Sequence, residues 1–280
     1  MSNAKGSAMN LKYDNFIFDL YGTLVDIHTD ENKPQFWKEI AGFYSCYGAD
    51  YTPEQLQQKY FDFVMEQEHE LAYKLAINYP EIRLEKVFAK LLLKAPVHHE
   101  TDSVVMAMTE EELTNSQWAR DLSNIFRTLS RDKLRLYPGV KETLDTIKES
   151  GGKIYLLSNA QGLFTRPELE MTGLSKCFDD IYISSENQMK KPQPQFMKKL
   201  LDEHKLTATN SVMIGNEIQS DIAVAAACKV DSIFLNTDGL SAIEMRARLS
   251  RVIDGYFKGY KPETVMSGDI REILDICAVN

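Results

Sequence analysis

The chain opens its first pattern with an apolar run, Phe16-Ile17-Phe18, that ends at Asp19 and passes at once into Gly22 and Thr23. A buried strand entering a tight loop has this look, and it leaves a carboxylate at the strand's C-terminal end. From Thr29 to Leu134 the pattern changes to long amphipathic stretches with no glycine after Gly48. Thr52-Pro53-Glu54-Gln55 supplies an N-cap, a proline at the first helical position and a carboxamide at the third. Helices are predicted near residues 32–47, 53–76, 80–95 and 116–132, with Tyr60, Phe61, Val64, Leu71 and Leu75 recurring at helical spacing. The block reads as all helical, with its aromatics forming its own core.

At Tyr137-Pro138-Gly139 the pattern changes again. Strands predicted at 153–157, 181–184, 211–214 and 232–235 alternate with helices near 140–150, 161–172, 193–204 and 218–228, which implies a parallel sheet. The first strand must join that sheet across about 110 intervening residues, so the helical block is an insertion into a doubly wound α/β core. The expected fold class is therefore α/β, a Rossmann-like parallel sheet carrying an inserted all-helical domain. Residues 9–26 and 136–280 would form the core and 27–135 the insertion, while the small, polar residues 1–8 before Met9 read as an expression remnant.

Length and composition agree with two folded domains: 280 residues, 44% hydrophobic and 26% charged. With 32 basic against 41 acidic side chains the formal charge is −9, which offers no general attraction for a phosphate backbone and argues against a nucleic-acid partner. Cys46, Cys177, Cys228 and Cys277 form no CxxC pair, and no stretch has the length of a membrane span. Reduced thiols, no membrane and a cytoplasmic location are expected. No Walker loop or dinucleotide glycine fingerprint occurs.

In open α/β sheets ligands bind beyond the carboxyl ends of the strands. Four polar groups follow the predicted strands: Asp19 with Tyr21 and Thr23, Ser158 with Asn159, Lys190 with Lys191 before Pro192, and Asn216 with Glu217 and Asp221 after Gly215. Together they would suit a metal-assisted site for an anionic ester. Taken singly, Asp19 also suits a loop cap, Ser158 a helix N-cap, Asn159 a turn, Lys190 and Lys191 a solvated surface, and Asp221 a helix partner. Glu66 with His69, and His98-His99-Glu100, read as solvated helix face and exposed loop, and Glu110 to Glu112 as the acidic first turn of a helix.

In Asp19-Leu20-Tyr21-Gly22-Thr23-Leu24, Leu157-Ser158-Asn159, Lys191-Pro192 and Gly215-Asn216-Glu217 through Asp221, the chain resembles the haloacid dehalogenase superfamily of hydrolases, most of them phosphatases. The resemblance runs from about Lys12 to Asp238, and the helical block falls where that family inserts its cap. It implies that Asp19 is the nucleophile and that Thr23, Ser158, Asn159 and Lys191 bind the phosphate, with Lys191 balancing charge on both Asp19 and the transferring group. It further implies Mg²⁺ held by Asp19, the Tyr21 carbonyl and the Asn216, Glu217, Asp221 loop, and a small phosphate ester as substrate. If residue 217 begins the helix, Glu217 and Asp221 would share one of its faces.

Two departures qualify the resemblance. Tyr21 stands where phosphatases of this type carry a second aspartate for acid–base work, and a phenol is a poor base at neutral pH. Tyrosine there resembles the 2-haloacid dehalogenase branch, making that reaction the alternative, beside a weakly active or inactive binding protein. The arginine that branch draws from its early cap is missing, since no arginine precedes Arg83. Lys33 or Lys38 would have to replace it without its bidentate fork. Asn216 stands where an aspartate metal ligand is common.

Overall fold

The computed structural model describes residues 9–33, 35–101 and 103–279; residues 1–8, read above as an expression remnant, lie outside the described residues. The strands that matter for the site are β1 (Asn15–Phe18), β2 (Val25–Thr29), β3 (Arg131–Leu136), β4 (Lys153–Ser158), β5 (Asp180–Ile183), β6 (Ser211–Gly215), β7 (Asp231–Leu235) and β8 (Glu263–Val265). Six of them build one parallel sheet in the order β8-β7-β6-β1-β4-β5. The doubly wound α/β core is thus present, with β1 at its centre and all four β1 residues buried.

Side chains alternate across this sheet as the pleat requires. Phe16, Phe18, Ile154, Leu156, Val212 and Ile214 pack one face, whereas Ile17, Tyr155, Leu157 and Met213 pack the other with Phe196, Leu200 and Val224. The register sets Phe18 beside Leu156 on one side and Ile214 on the other. Asp19, Leu157-Ser158 and Gly215 therefore leave the sheet at one edge, the carboxyl ends of three adjacent strands.

The inserted block holds α1 (Phe36–Ser45), α2 (Pro53–Leu75), α3 (Leu84–Leu93), a short helix Glu110–Thr114 and α4 (Gln117–Ser130). α2 starts on the expected capping box at Thr52 and Gln55. α3 begins four residues later than its periodicity predicts, because Glu81 N–H donates to the Gln188 carbonyl and Pro80 bridges to Met189, tying this stretch to the core.

The block is not all helical. β2 and β3 pair antiparallel from Val25↔Leu136 to Thr29↔Arg131, with a bulge between His28 and Thr29, so the chain enters and leaves the block through a two-stranded ribbon. Asp26 on one strand is bracketed by Lys133 at 2.8 Å and Arg135 at 2.9 Å on the other, cross-strand charges that a hydrophobic pattern does not register. A second ribbon pairs Ala49-Asp50 with Val97-His98.

The block's own core is aromatic, built on Phe36, Trp37, Tyr44, Tyr60, Phe88, Trp118 and Phe126. One further member comes from outside it. Phe164, on the core helix α5 (Gly162–Thr172), stacks on Phe126 with centroids 6.0 Å apart and an interplanar angle of 10°. Among the described residues no helix is long and apolar enough to cross a membrane, and the four cysteines are free thiols.

Candidate active site

Three buried charges meet at the edge where β1, β4 and β6 end. Lys191 Nζ donates to Asp19 Oδ1 at 2.7 Å and to the Leu157 carbonyl at 2.6 Å, and pairs with Asp221 Oδ1 at 2.7 Å. Exposure is 7% for Asp19, 2% for Lys191 and 0% for Asp221. Two carboxylates against one ammonium leave one negative charge out of water, which is costly without a further partner. Burial pushes the Asp19 carboxyl up to about 6 against the pull of Lys191, and Asp221 adds to the rise. Burial also works against the Lys191 ammonium, yet Asp19 and Asp221 hold its pKa above the usual lysine value.

These contacts change the expected part of Lys191. An ammonium has three donors, and all three are taken by Asp19, Asp221 and Leu157, so direct contact with a transferring group needs one of them to let go. Asp221, in turn, accepts Glu217 N–H at 2.9 Å and the Ser220 hydroxyl at 3.3 Å. Gly215 makes room for it: a Cβ there would sit 2.1 Å from Asp221 Oδ2. Residue 217 does not begin the helix. Glu217 is the N-cap of the turn Ile218–Ile222, with extended dihedrals, and its carboxylate accepts Gln219 N–H at 3.1 Å. Glu217 and Asp221 therefore meet through backbone, with the Glu217 carboxylate spent on a cap.

The loop after β1 curls so that Gly22 N–H donates to the Val25 carbonyl and Leu24 N–H to that of Leu20. Gly22 has φ +84°, and an added Cβ would lie 2.3 Å from Asn216 Nδ2, so both conformation and space require glycine. The buried Thr23 hydroxyl is 3.2 Å from Asp19 Oδ2 and 3.2 Å from Asn216 Oδ1, with one proton for two acceptors. Asp19 and Asn216 thus present two hard oxygens around one hydroxyl beside uncompensated negative charge, a donor set that fits Mg²⁺. Asn216 Nδ2 is braced by Asp238 at 3.4 Å, a residue the sequence did not single out.

Ser158 does not cap a helix. Its Oγ is fully buried and has no hydrogen-bond partner among the described residues, and the cap position belongs to Gln161. Its O–H is thus free to donate to a ligand or an ordered water. The Asn159 side chain brackets the Lys191 backbone, donating to its carbonyl at 2.9 Å and accepting its N–H at 2.7 Å, so this amide aims the lysine loop. Lys190 is half-buried and pairs with Glu68 of α2 in the inserted block at 3.0 Å.

Tyr21 is the surprise of the loop. Its phenol donates to Glu168 of α5 in a short hydrogen bond and lies 3.1 Å from Thr165 Oγ1. Glu168, 2% exposed, also accepts Arg127 Nε at 2.7 Å and Nη2 at 3.2 Å, and Arg131 Nη1 at 2.7 Å. Burial and the adjacent Glu168 raise the Tyr21 phenol well above its ordinary value. Burial alone would raise the Glu168 carboxyl, but Arg127, Tyr21 and Arg131 hold it below the ordinary range. Sequence reading missed Glu168, Arg127 and Arg131. The signal was a glutamate between Thr165 and Leu169 on the apolar face of α5, where an acid needs a partner.

Lys33 donates to the Ser130 carbonyl at 3.0 Å and pairs with Asp132 at 3.4 Å, so the ribbon occupies it. Glu66 pairs with Lys90 at 2.6 Å and His99 with Asp50, as suits exposed helix face and loop. A separate cleft of about 260 Å³, lined in part by Gln67, Lys74, Glu81, Arg83 and Gln188, opens between α2, α3 and the core. Asp19 does not line it.

A parallel α/β sheet with an insertion after its first strand, and a carboxylate–lysine–carboxylate cluster at the strand ends, define a class of hydrolases. The family model for haloacid dehalogenase-like hydrolases matches residues 13–229, and the chain belongs to that family. Among particular proteins, a phosphoglycolate phosphatase of Vibrio parahaemolyticus serotype O3:K6 (strain RIMD 2210633) is 33% identical over 107 residues, 38% of this chain and 46% of that protein. The match spans less than half the length of the first such relatives. Two solved structures share the fold: a 2-haloacid dehalogenase from Pseudomonas syringae pv. Tomato DC3000 (TM-score 0.59, 14% identity, 94% of this chain and 98% of that one) and a HAD phosphatase from Thermococcus onnurineus (TM-score 0.54, 15% identity, 95% and 100%).

Proposed function

We propose that the protein is a Mg²⁺-dependent phosphatase of a small phosphorylated metabolite, with Asp19 as nucleophile and the inserted helices as its cap. The observation that carries this reading is the buried, charge-unbalanced trio of Asp19, Lys191 and Asp221 next to the unpartnered Ser158 hydroxyl. Relatives named as phosphatases support a phosphate ester as substrate.

In this mechanism an Asp19 oxygen bonds to phosphorus as the ester oxygen departs with its electron pair, leaving an acyl phosphate that water later cleaves. Lys191 keeps Asp19 aimed and ionised near neutral pH. Ser158 donates its free O–H to a phosphate oxygen, and the Thr23 proton serves whichever of Asp19 and Asn216 needs it. Asp19, the Tyr21 carbonyl and Asn216 would hold the cation, with Asp221 acting through Lys191 and Glu217 through the helix cap. Bound Mg²⁺ supplies the positive charge that lets an anionic carboxylate approach an anionic phosphate. Tyr21 spends its O–H on the hydrogen bond to Glu168 and holds that proton tightly, leaving none to spare for a departing alkoxide, so leaving groups that depart as stable anions are favoured.

The test is phosphate release from a panel of phosphate esters with Mg²⁺ or EDTA, with Asp19→Asn in parallel. Mg²⁺-dependent release lost in the variant is expected. No release from any ester would overturn the proposal. Tyr21 favours one second reading, 2-haloacid dehalogenation, which halide release in the presence of a chelator would establish.

A further inference from the structure

We infer that Glu168 is a positioning residue that locks Tyr21 in the Asp19 loop and, through Arg127 and Arg131, ties the inserted helices and their ribbon to that loop. Two segments of the molecule far from α5 in sequence, the Asp19 loop and the α4–β3 junction, end on this one carboxylate. Tyr21 comes from the loop after β1, Arg127 from α4 in the inserted block, and Arg131 from the first position of β3 in the ribbon. The two arginine side chains are 17% and 20% exposed and Glu168 2%, so the pairs lie largely out of water, where separating them is expensive.

The Arg127 guanidinium also lies over two rings, 5.7 Å from the Tyr21 centroid and 5.0 Å from that of Phe164. Moving α4 away would break the bidentate pair and both ring contacts at once. It would leave Glu168 with Tyr21 and Arg131 only.

The other end of α5 is gripped as well. Gln161 donates to Glu81 and to the Ile82 carbonyl, each at 3.0 Å, and accepts Leu84 N–H at 3.0 Å. α5 follows directly on Ser158 and Asn159, so a helical block that docks on it holds that segment and the Asp19 loop together. Docking and site geometry then behave as one two-state element, and substrate that binds the docked form benefits from a latch already closed.

The experiment compares Glu168→Gln, Arg127→Met, their combination and Arg131→Met with the natural protein. Arg166→Ala serves as control, because Arg166 is exposed on the same helix and pairs with Glu186 of the separate short helix Ser184–Asn187, away from Glu168. The first readout is amide hydrogen exchange of the free protein, which needs no activity. Glu168→Gln should speed exchange in both 20–29 and 160–172 by at least ~10-fold, and the double variant should be no worse than the worse single.

The second readout, with p-nitrophenyl phosphate and Mg²⁺, rests on the proposed phosphatase activity. KM should rise about tenfold or more while kcat changes less than about threefold. Exchange that loosens 160–172 but leaves 20–29 unchanged, or additive effects in the double variant, would overturn the inference. Should Glu168→Gln fail to fold, Arg131→Met must still give a smaller shift of the same sign, and its absence counts against the latch. A protein that turns over no ester defeats the phosphatase reading while the exchange data still judge the latch.

Discussion

The Asp19→Asn substitution should abolish turnover and at the same time stabilise the fold. Asparagine keeps the shape and leaves an oxygen to accept from Lys191, but it removes the negative charge that burial and Asp221 oppose. A carboxyl whose pKa rises from an ordinary 3.8 to about 6 on folding costs the ionised native state up to about 3 kcal/mol at neutral pH, at ~1.4 kcal/mol per tenfold. Allowing for relaxation of Lys191 and Asp221, a gain of about 1 to 3 kcal/mol is expected, or roughly 2 to 8 °C in Tm. Because the folded carboxyl binds its proton more tightly than the unfolded one, the natural protein loses this stability as pH rises from about 4 through 6. The variant's advantage should therefore be full at pH 7.5 and fall to about half at pH 5. Thermal unfolding followed by circular dichroism in EDTA at both pH values measures it. A variant no more stable than the natural protein at pH 7.5, with a difference that stays flat to pH 5, would refute the charge-imbalance reasoning.

Lys191→Met leaves Asp19 and Asp221 facing each other without their cation, at a cost of about 3 to 5 kcal/mol near pH 7.5. Part of it should return toward pH 5 as the carboxyls protonate, and urea titration at the two pH values would detect both changes. Gly22→Ala must relieve a +84° φ and a 2.3 Å contact with Asn216, for roughly 1 to 3 kcal/mol lost. Mg²⁺ affinity by calorimetry should weaken at least ~10-fold in that variant, and unchanged affinity would remove Asn216 from the metal site. Tyr21→Asp supplies the base that the phenol is not, so phosphoenzyme breakdown in rapid-quench experiments should speed up by about 10². An equal or slower rate in a folded variant speaks against the role given to Tyr21.

Much of this was legible in the sequence. The sheet strands, their order of chemistry-bearing loops and the insertion point follow from period-2 and period-3.6 patterns, because buried strands such as Phe16-Ile17-Phe18 carry a strong local signal. The site residues were placed by type and position, and the Lys191 contacts with Asp221 and Asp19 join groups 30 and 172 positions apart that no periodicity relates. What stayed hidden was pairing. The β2–β3 ribbon is held by charges around Asp26, Glu217 turned from helix face to cap, and the Glu168 knot depends on which face α5 offers to a helix about 40 residues earlier. Propensity describes a residue's neighbours in sequence, and these are neighbours in space.

Phe164 bears on how far the two parts can be treated as exchangeable modules. Its backbone belongs to the α/β unit and its ring completes the aromatic cluster of the inserted helices. Grafting residues 27–135 onto another sheet would carry away Phe126 without the ring stacked against it, and a foreign insertion on this sheet would meet an orphaned phenylalanine. Exchanging the helical unit for another would call for a compensating change in α5, so the exchangeable module is the insertion plus one helix of its host.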